Sequence, residues 1–288
     1  MIKSQKILIT GATGFIGTNL IPILLENGYA VVASSRDIEK AKTQPWFKQV
    51  EYISWTIENN PASINLYNHF NQPDLLIHLA WEGLPNYASS HHIETNMMAN
   101  YFFCKNLIHH GLKDLTIAGT CMEYGKVNGE LYEDMPSNPS NAYAIGKVNL
   151  LNCLHALKNQ FDFDLKWLRL FYMYGEGQHK NSLYGQLMEA IKERKEYFNM
   201  SKGDQIRDYL SIQEMASFIM KVAVQNNITG IINICSGRPI TVKSFVETII
   251  KQHNSSLQLN TGVFPYSEHE AMYFWGNNSK LSKIITNE

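Results

Sequence analysis

Six short apolar runs, at 7–10, 30–34, 50–53, 75–80, 115–118 and 165–170, recur through the first half of the chain, separated by longer stretches with apolar residues at helical spacing. Strands buried on both faces read as continuous apolar runs, and their alternation with helical stretches predicts βαβ units wound into a parallel sheet. The helical stretches carry their own end signals. The one at 15–26 stops at Asn27-Gly28 and the one at 94–110 stops at Gly111, residue types that suit a left-handed cap. A third long helix is expected over 143–159. Ser211-Ile212-Gln213-Glu214 reads as a capping box that opens a fourth, with Ala216, Phe218, Ile219, Val222 and Ala223 as its apolar face. Beyond about Tyr172 the pattern loosens, with loops predicted around 175–181 and 265–278.

Directly after the first predicted strand stands Thr10-Gly11-Ala12-Thr13-Gly14-Phe15-Ile16-Gly17, which also opens the first predicted helix. Glycines at this place allow a tight turn, close backbone approach to a pyrophosphate and close helix–strand packing, while the helix start offers unpaired N–H groups to phosphate oxygens. The spacing is GxxGxxG. Its strand–turn–helix setting points to a bound dinucleotide, with contacts from Gly11, Thr13, Gly14, Phe15, Ile16 and Gly17. The end of the second strand decides which dinucleotide, because an acid there suits a ribose 2′-hydroxyl and a base suits a 2′-phosphate. Here Ser35 takes the acid's place and Arg36 follows it, which favours NADP(H) and leaves NAD possible. The competing reading makes Arg36 a solvated loop cation and gives the acidic duty to Asp37. The fold expected is therefore α/β, a doubly wound, Rossmann-like parallel sheet with a smaller C-terminal substrate-binding α/β portion. In domain terms, 1–171 with about 203–235 bind the dinucleotide, and about 172–202 with 236–288 bind substrate.

Composition narrows the function by exclusion. Of the 288 residues 44% are apolar and 18% charged, with a formal net charge of −1, so no large basic surface awaits nucleic acid or a membrane. The apolar run before Gly11 is too short for a signal peptide, and nowhere do ~18 consecutive apolar residues occur. Cys104, Cys121, Cys153 and Cys235 stand far apart, without the spacing of a zinc or redox motif, and are expected as reduced thiols in a cytoplasmic protein. The pairs His91-His92 and His109-His110 lack acidic ligands at metal spacing, so no metal is expected.

Tyr143-Ala144-Ile145-Gly146-Lys147 puts a phenol and an ammonium four residues apart, on one face of a helix. A nearby ammonium favours phenolate, which would lower the tyrosine pKa toward the range of proton exchange with an alcohol or ketone. Thr120 ends the fifth strand on the same carboxyl edge as the glycine turn, where its hydroxyl could hold a substrate oxygen or simply cap a turn.

Together with His78-Leu79-Ala80, Asn96, Tyr124-Gly125, Arg169, Tyr174-Gly175, Arg207-Asp208-Tyr209, Asn233 and Ser236-Gly237, these segments resemble the extended short-chain dehydrogenase/reductases. This is the epimerase, dehydratase and reductase family of sugar nucleotides. The resemblance implies Tyr143 as general acid/base, Lys147 as the group that binds the nicotinamide ribose and tunes it, and Thr120 as the orienting hydroxyl. It also implies Leu79 and Ala80 along the cofactor, Arg207 on the substrate diphosphate, and an architectural role for Asn96. An ion pair of Arg207 with Asp208 is the plainer alternative. Trp81, Tyr87, Tyr172 and Asn181 are expected around the substrate, or, for the aromatics, in ordinary packing. A homodimer through the helices 94–110 and 143–159 is implied as well, using apolar residues such as Phe102, Phe103, Leu150, Leu151 and Leu154.

In the family's 4,6-dehydratases an Asp-Glu pair follows the threonine. Here Cys121-Met122 stand there and Glu123 comes one position late, so elimination lacks its acid and base. The segment from Trp81 to Tyr87 further resembles bacterial enzymes that make 6-deoxyhexose nucleotides such as dTDP-fucose, dTDP-6-deoxytalose or CDP-abequose. The function expected is reduction, or the reverse oxidation, at C4 of a nucleotide-activated 4-keto-6-deoxyhexose. A 4-epimerase with tightly held NAD and a non-catalytic dinucleotide-binding regulator are the alternatives.

Overall fold

The computed structural model describes residues 5–57, 63–266 and 271–286. Its strands are β1 (Lys6–Thr10), β2 (Ala30–Ser35), β3 (Glu51–Ser54), β4 (Leu75–His78), β5 (Asp114–Thr120), β6 (Gly129–Leu131), β7 (Asp164–Leu170), β8 (Tyr172–Tyr174), β9 (Tyr197–Asn199), β10 (Ile206–Ser211), β11 (Gly230–Ile234), β12 (Pro239–Thr241), β13 (Gln258–Asn260) and β14 (Phe274–Gly276). The helices are α1 (Phe15–Glu26), α2 (Ile38–Lys42), α3 (Leu66–His69), α4 (Met97–His109), α5 (Ala142–Leu157), α6 (Leu183–Lys192), α7 (Ile212–Val224), α8 (Val242–Gln252) and α9 (Ser279–Ile285).

Seven strands form one parallel sheet in the order β11-β7-β5-β4-β1-β2-β3. All six apolar runs of the sequence lie in it. The order reverses at β1, so the crevice for a ligand opens between the carboxyl ends of β1 and β4. Successive residues of a strand face opposite sides: Ile7 and Ile9 join the core under α1, α7 and α9, while Leu8 joins the one under α4 and α5. Burial on both sides is the physical reason β1 and β4 read as nearly continuous apolar runs. A third apolar cluster joins α6 and α8 to Phe198 of β9, and the short sheet β12-β10-β8 runs beside it.

The helix ends follow their predicted chemistry. Ser211 and Glu214 form the capping box of α7, with the Ser211 side chain accepting from the Glu214 N–H. The start of the 94–110 helix differs: His92–Asn96 make a wider π-type turn before α4. The residues named for a dimer face also differ in outcome. Phe103, Leu150, Leu151 and Leu154 are at most 3% exposed and pack inside the chain under α4 and α5, so they form core and are not spare apolar surface; Phe102 is half-buried. α4 and α5 pack against each other and share one buried cluster with the sheet. No helix among the described residues is long and apolar enough to cross a membrane.

Candidate active site

The glycine turn bends as its composition requires. Gly11 has φ +69°, a left-handed conformation that favours glycine, and a Cβ there would come within 2.9 Å of the Ala80 backbone nitrogen. A Cβ on Gly17 would lie 2.5 Å from the Gly11 carbonyl oxygen, so the helix can sit this close to the turn only without a side chain. Gly14 is the N-cap of α1, and no side chain caps that end. Phe15, Ile16 and Gly17 then form the first turn of the helix, whose N–H groups have no intrahelical acceptors. This cradle fits a pyrophosphate.

Beside it opens a cleft of about 430 Å³, lined by Gly11, Thr13, Gly14, Ser35, Arg36, Leu79, Ala80 and Trp81 from the predicted set, and also by Lys40, Trp55 and Glu82. The floor is a buried polar chain. The Thr10 hydroxyl bonds His78 Nδ1 at 2.7 Å, His78 Nε2 bonds Asn100 Oδ1 at 2.7 Å, and Asn100 Nδ2 donates to the Asn96 carbonyl at 2.7 Å. Asn100 offers His78 Nε2 an oxygen, so the proton sits on Nε2 and the Thr10 hydroxyl donates to Nδ1. Burial first, and then the nearby Lys147, hold the His78 imidazole down to about 3, which keeps it neutral. Asn96 Nδ2 donates to the Glu82 carbonyl at 2.9 Å, which gives it the architectural place that the resemblance implied.

At the end of β5, Thr120, Tyr143 and Lys147 converge. Lys147 is buried, donates to the Ala118 carbonyl at 2.6 Å, and lies 4.0 Å from the centroid of the Trp81 ring. Burial holds its ammonium down to about 7, with Glu123 and Cys104 opposing. The Tyr143 ring sits among Trp81, Tyr87 and His92, with centroids 6.0, 5.5 and 5.5 Å away. Burial pushes its phenol well above the usual range, helped by Glu123, Tyr87 and Cys121, and a hydrogen bond with Thr120 pulls the other way. The expectation of a lowered tyrosine pKa is therefore corrected: with the ammonium 6.0 Å from the ring centroid, desolvation outweighs its pull. A phenol that keeps its proton is a proton donor. Thr120 also serves as a turn cap, its hydroxyl accepting from the Met122 N–H at 3.2 Å.

His92 was missed from the sequence, where it stood only as half of a histidine pair. Its Nδ1 accepts from Trp81 Nε1 at 3.0 Å and its Nε2 donates to the Asn86 carbonyl at 2.8 Å, so it fixes the indole that covers Lys147. Trp81 thus belongs to this ammonium and the first cleft.

A second cleft, of about 340 Å³, is lined by Tyr172 and Arg207 with Gln186, Phe198, Tyr209 and Phe264. Arg207 is 3% exposed, donates to the carbonyls of Ile206 and Met272, and lies 4.7 Å from the centroid of Phe274. Asp208 turns to backbone donors, accepting from Ser236 and Gly237 at 2.8 and 2.9 Å and from Gly276 at 3.3 Å. Asn181 stands apart: it is exposed in the turn before α6, where its carbonyl accepts from Gln186, and it lines neither cleft. Among the described residues no three His, Cys, Asp or Glu side chains gather as a metal site would require.

Glu123 is buried completely. It donates nothing to the open site: its carboxylate accepts from the Thr120 N–H, from Trp167 Nε1 and from Arg169 Nε at 2.8–2.9 Å.

Residues 7–235 match the NAD dependent epimerase/dehydratase family. Over 279 residues the chain is 30% identical to dTDP-6-deoxy-L-talose 4-dehydrogenase (NAD(+)) of Aggregatibacter actinomycetemcomitans, covering 94% of this chain and 99% of that one. It is 29% identical to dTDP-4-dehydro-6-deoxyglucose reductase of Escherichia coli, over 86% and 81% of the two chains. Among solved structures, UDP-glucuronic acid 4-epimerase of Bacillus cereus in complex with UDP-glucuronic acid and NAD superposes with a TM-score of 0.84 at 22% identity, over 99% and 94%.

Proposed function

The chain belongs to the NAD-dependent epimerase/dehydratase family, and from that premise we propose that it reduces, or in reverse oxidises, C4 of a nucleotide-activated 4-keto-6-deoxyhexose. The observation that carries this reading is the meeting of Thr120, Tyr143 and Lys147 at the end of β5, against Trp81, which itself lines the dinucleotide cleft, with the carboxylate of Glu123 turned away into the core. The names of the two curated relatives support the same substrate class.

In this reading a bound nicotinamide supplies the hydride, and the residues of the chain supply everything else. The protonated Tyr143 phenol gives its proton to the oxygen that develops charge at C4. Thr120 orients that oxygen. The Lys147 ammonium, held between the Ala118 carbonyl and the Trp81 ring, stabilises the phenolate left behind. Arg207 and Tyr172 line the cleft for the sugar nucleotide, where a guanidinium fork suits diphosphate oxygens.

The test is to mix the protein with NADH or NADPH and a panel of 4-keto-6-deoxy nucleotide sugars, follow absorbance and identify products by NMR. Consumption of reduced cofactor with one new C4 alcohol is expected. Interconversion of the two C4 epimers of an added C4-alcohol sugar nucleotide, with no net change of cofactor, would replace the reductase by an epimerase, and binding without turnover on any sugar would replace it by a regulator. Arg207→Lys, which keeps a cation but loses the fork, is expected to raise KM for the sugar nucleotide roughly tenfold or more while leaving dinucleotide affinity unchanged. An unchanged KM would return Arg207 to a purely structural role as the anchor of the Ile206 and Met272 carbonyls.

A further inference from the structure

The reading of Arg36 as a 2′-phosphate receptor meets an obstacle in the fold. Its guanidinium Nη1 already pairs with Glu82 Oε1, a residue 46 positions away that arrives from the end of β4. Both side chains line the dinucleotide cleft, on the side where β2 ends. Glu82 is held there by its own carbonyl, which accepts from the buried Asn96, and His91 Nε2 stands 3.8 Å from its second carboxylate oxygen.

Lys40 also lines this side of the cleft, while Ser35 and Asp37 are engaged elsewhere. Ser35 Oγ bonds the Tyr52 hydroxyl at 2.9 Å, and Tyr52 in turn donates to the Ser35 carbonyl. Asp37 caps α2, its Oδ1 accepting from the Lys40 N–H at 2.9 Å. The acid missing from the end of β2 is thus supplied across the cleft by the loop after β4.

We propose that Glu82 sets this protein's choice between NAD(H) and NADP(H), by accepting a ribose 2′-hydroxyl and by competing with a 2′-phosphate for Arg36. The inference rests on the dinucleotide reading of the cleft and revises the preference for NADP(H) that Arg36 alone suggested. A 2′-phosphate must break the Arg36–Glu82 pair and then lie beside a carboxylate, whereas a 2′-hydroxyl can donate to that carboxylate and leave the pair intact. Both side chains are about half exposed or more, at 64% and 46%, so water screens the effect and its size is modest.

The experiment is a binding titration of NADH and NADPH, read by quenching of the tryptophans that line the cleft. It uses the parent, Glu82→Gln, Arg36→Ala and the double variant. Glu82→Gln is expected to raise the NADPH-to-NADH affinity ratio roughly three- to fivefold, mainly through tighter NADPH. Arg36→Ala is expected to lower that ratio, and adding Glu82→Gln to it should recover less than that gain, because the Arg36 cation it would release is gone. A ratio within twofold of the parent in Glu82→Gln would overturn the role of Glu82. Failure of the parent to bind either dinucleotide would be a different result, removing the reading of the cleft itself.

Discussion

Tyr143→Phe is expected to lower turnover by roughly 100- to 10,000-fold, the range in which a positioned general acid contributes. The substitution removes only the hydroxyl. The ring keeps its neighbours Trp81, Tyr87 and His92, so the melting temperature and the affinity for the dinucleotide should stay close to those of the parent. Burial keeps the phenol protonated, so the group is loaded as a donor in the reducing direction. The alkoxide formed without it must take its proton from water. Lys147 gives a second signature in the parent. With its ammonium held down to about 7 by burial, the cation that steadies the phenolate is lost as pH rises through that range, so the reduction rate should fall on the alkaline side. Near-normal turnover of the phenylalanine variant, measured at saturating substrate, would remove Tyr143 from the chemistry.

The parts of this site that the sequence displays are those carried by local rules. A strand followed by glycines and a helix, and a tyrosine four residues before a lysine, are patterns within one or two turns of chain, and β1–α1 and α5 contain them as read. Six of the seven strands of the large sheet were legible as apolar runs, because burial on both faces thins out polar residues, while β11 was not read. The three-residue strands β6, β8, β9, β12, β13 and β14 were not, since three positions hold no period. Contacts across the fold were equally hidden. Nothing near Arg36 in the chain points to Glu82, and nothing near Trp81 shows that His92 fixes its indole. The residues named for a dimer face misled for a related reason: an apolar helix face looks the same in sequence whether a second helix or a second chain covers it, and Phe103, Leu150, Leu151 and Leu154 pack inside this chain.

Glu123 is the sharpest instance of a residue whose meaning lies in distant partners, and its replacement gives the second large effect. By position it looks like a displaced catalytic acid, one residue beyond where a dehydratase would carry it. In the fold it points inward, facing only donors: the Thr120 N–H, the Trp167 indole N–H and the Arg169 guanidinium, the last two 44 and 46 residues away on β7. Burial pushes its carboxyl up while Arg169 and the donated hydrogen bonds pull it back, and a group that faces donors alone is held as the carboxylate. Glu123→Gln leaves the buried Arg169 cation without its partner and turns an amide N–H₂ toward groups that can only donate. Removing one member of a buried ion pair costs about 3–5 kcal/mol. In a chain of this size each kcal/mol moves the midpoint by roughly 2–4 °C, so a fall in melting temperature on the order of 10 °C is expected. Below that temperature the variant should still turn over, with a smaller loss than Tyr143→Phe, since the carboxylate only anchors the turn that carries Thr120. A variant that melts with the parent yet has lost turnover would reverse the assignment and make Glu123 a proton-transfer group.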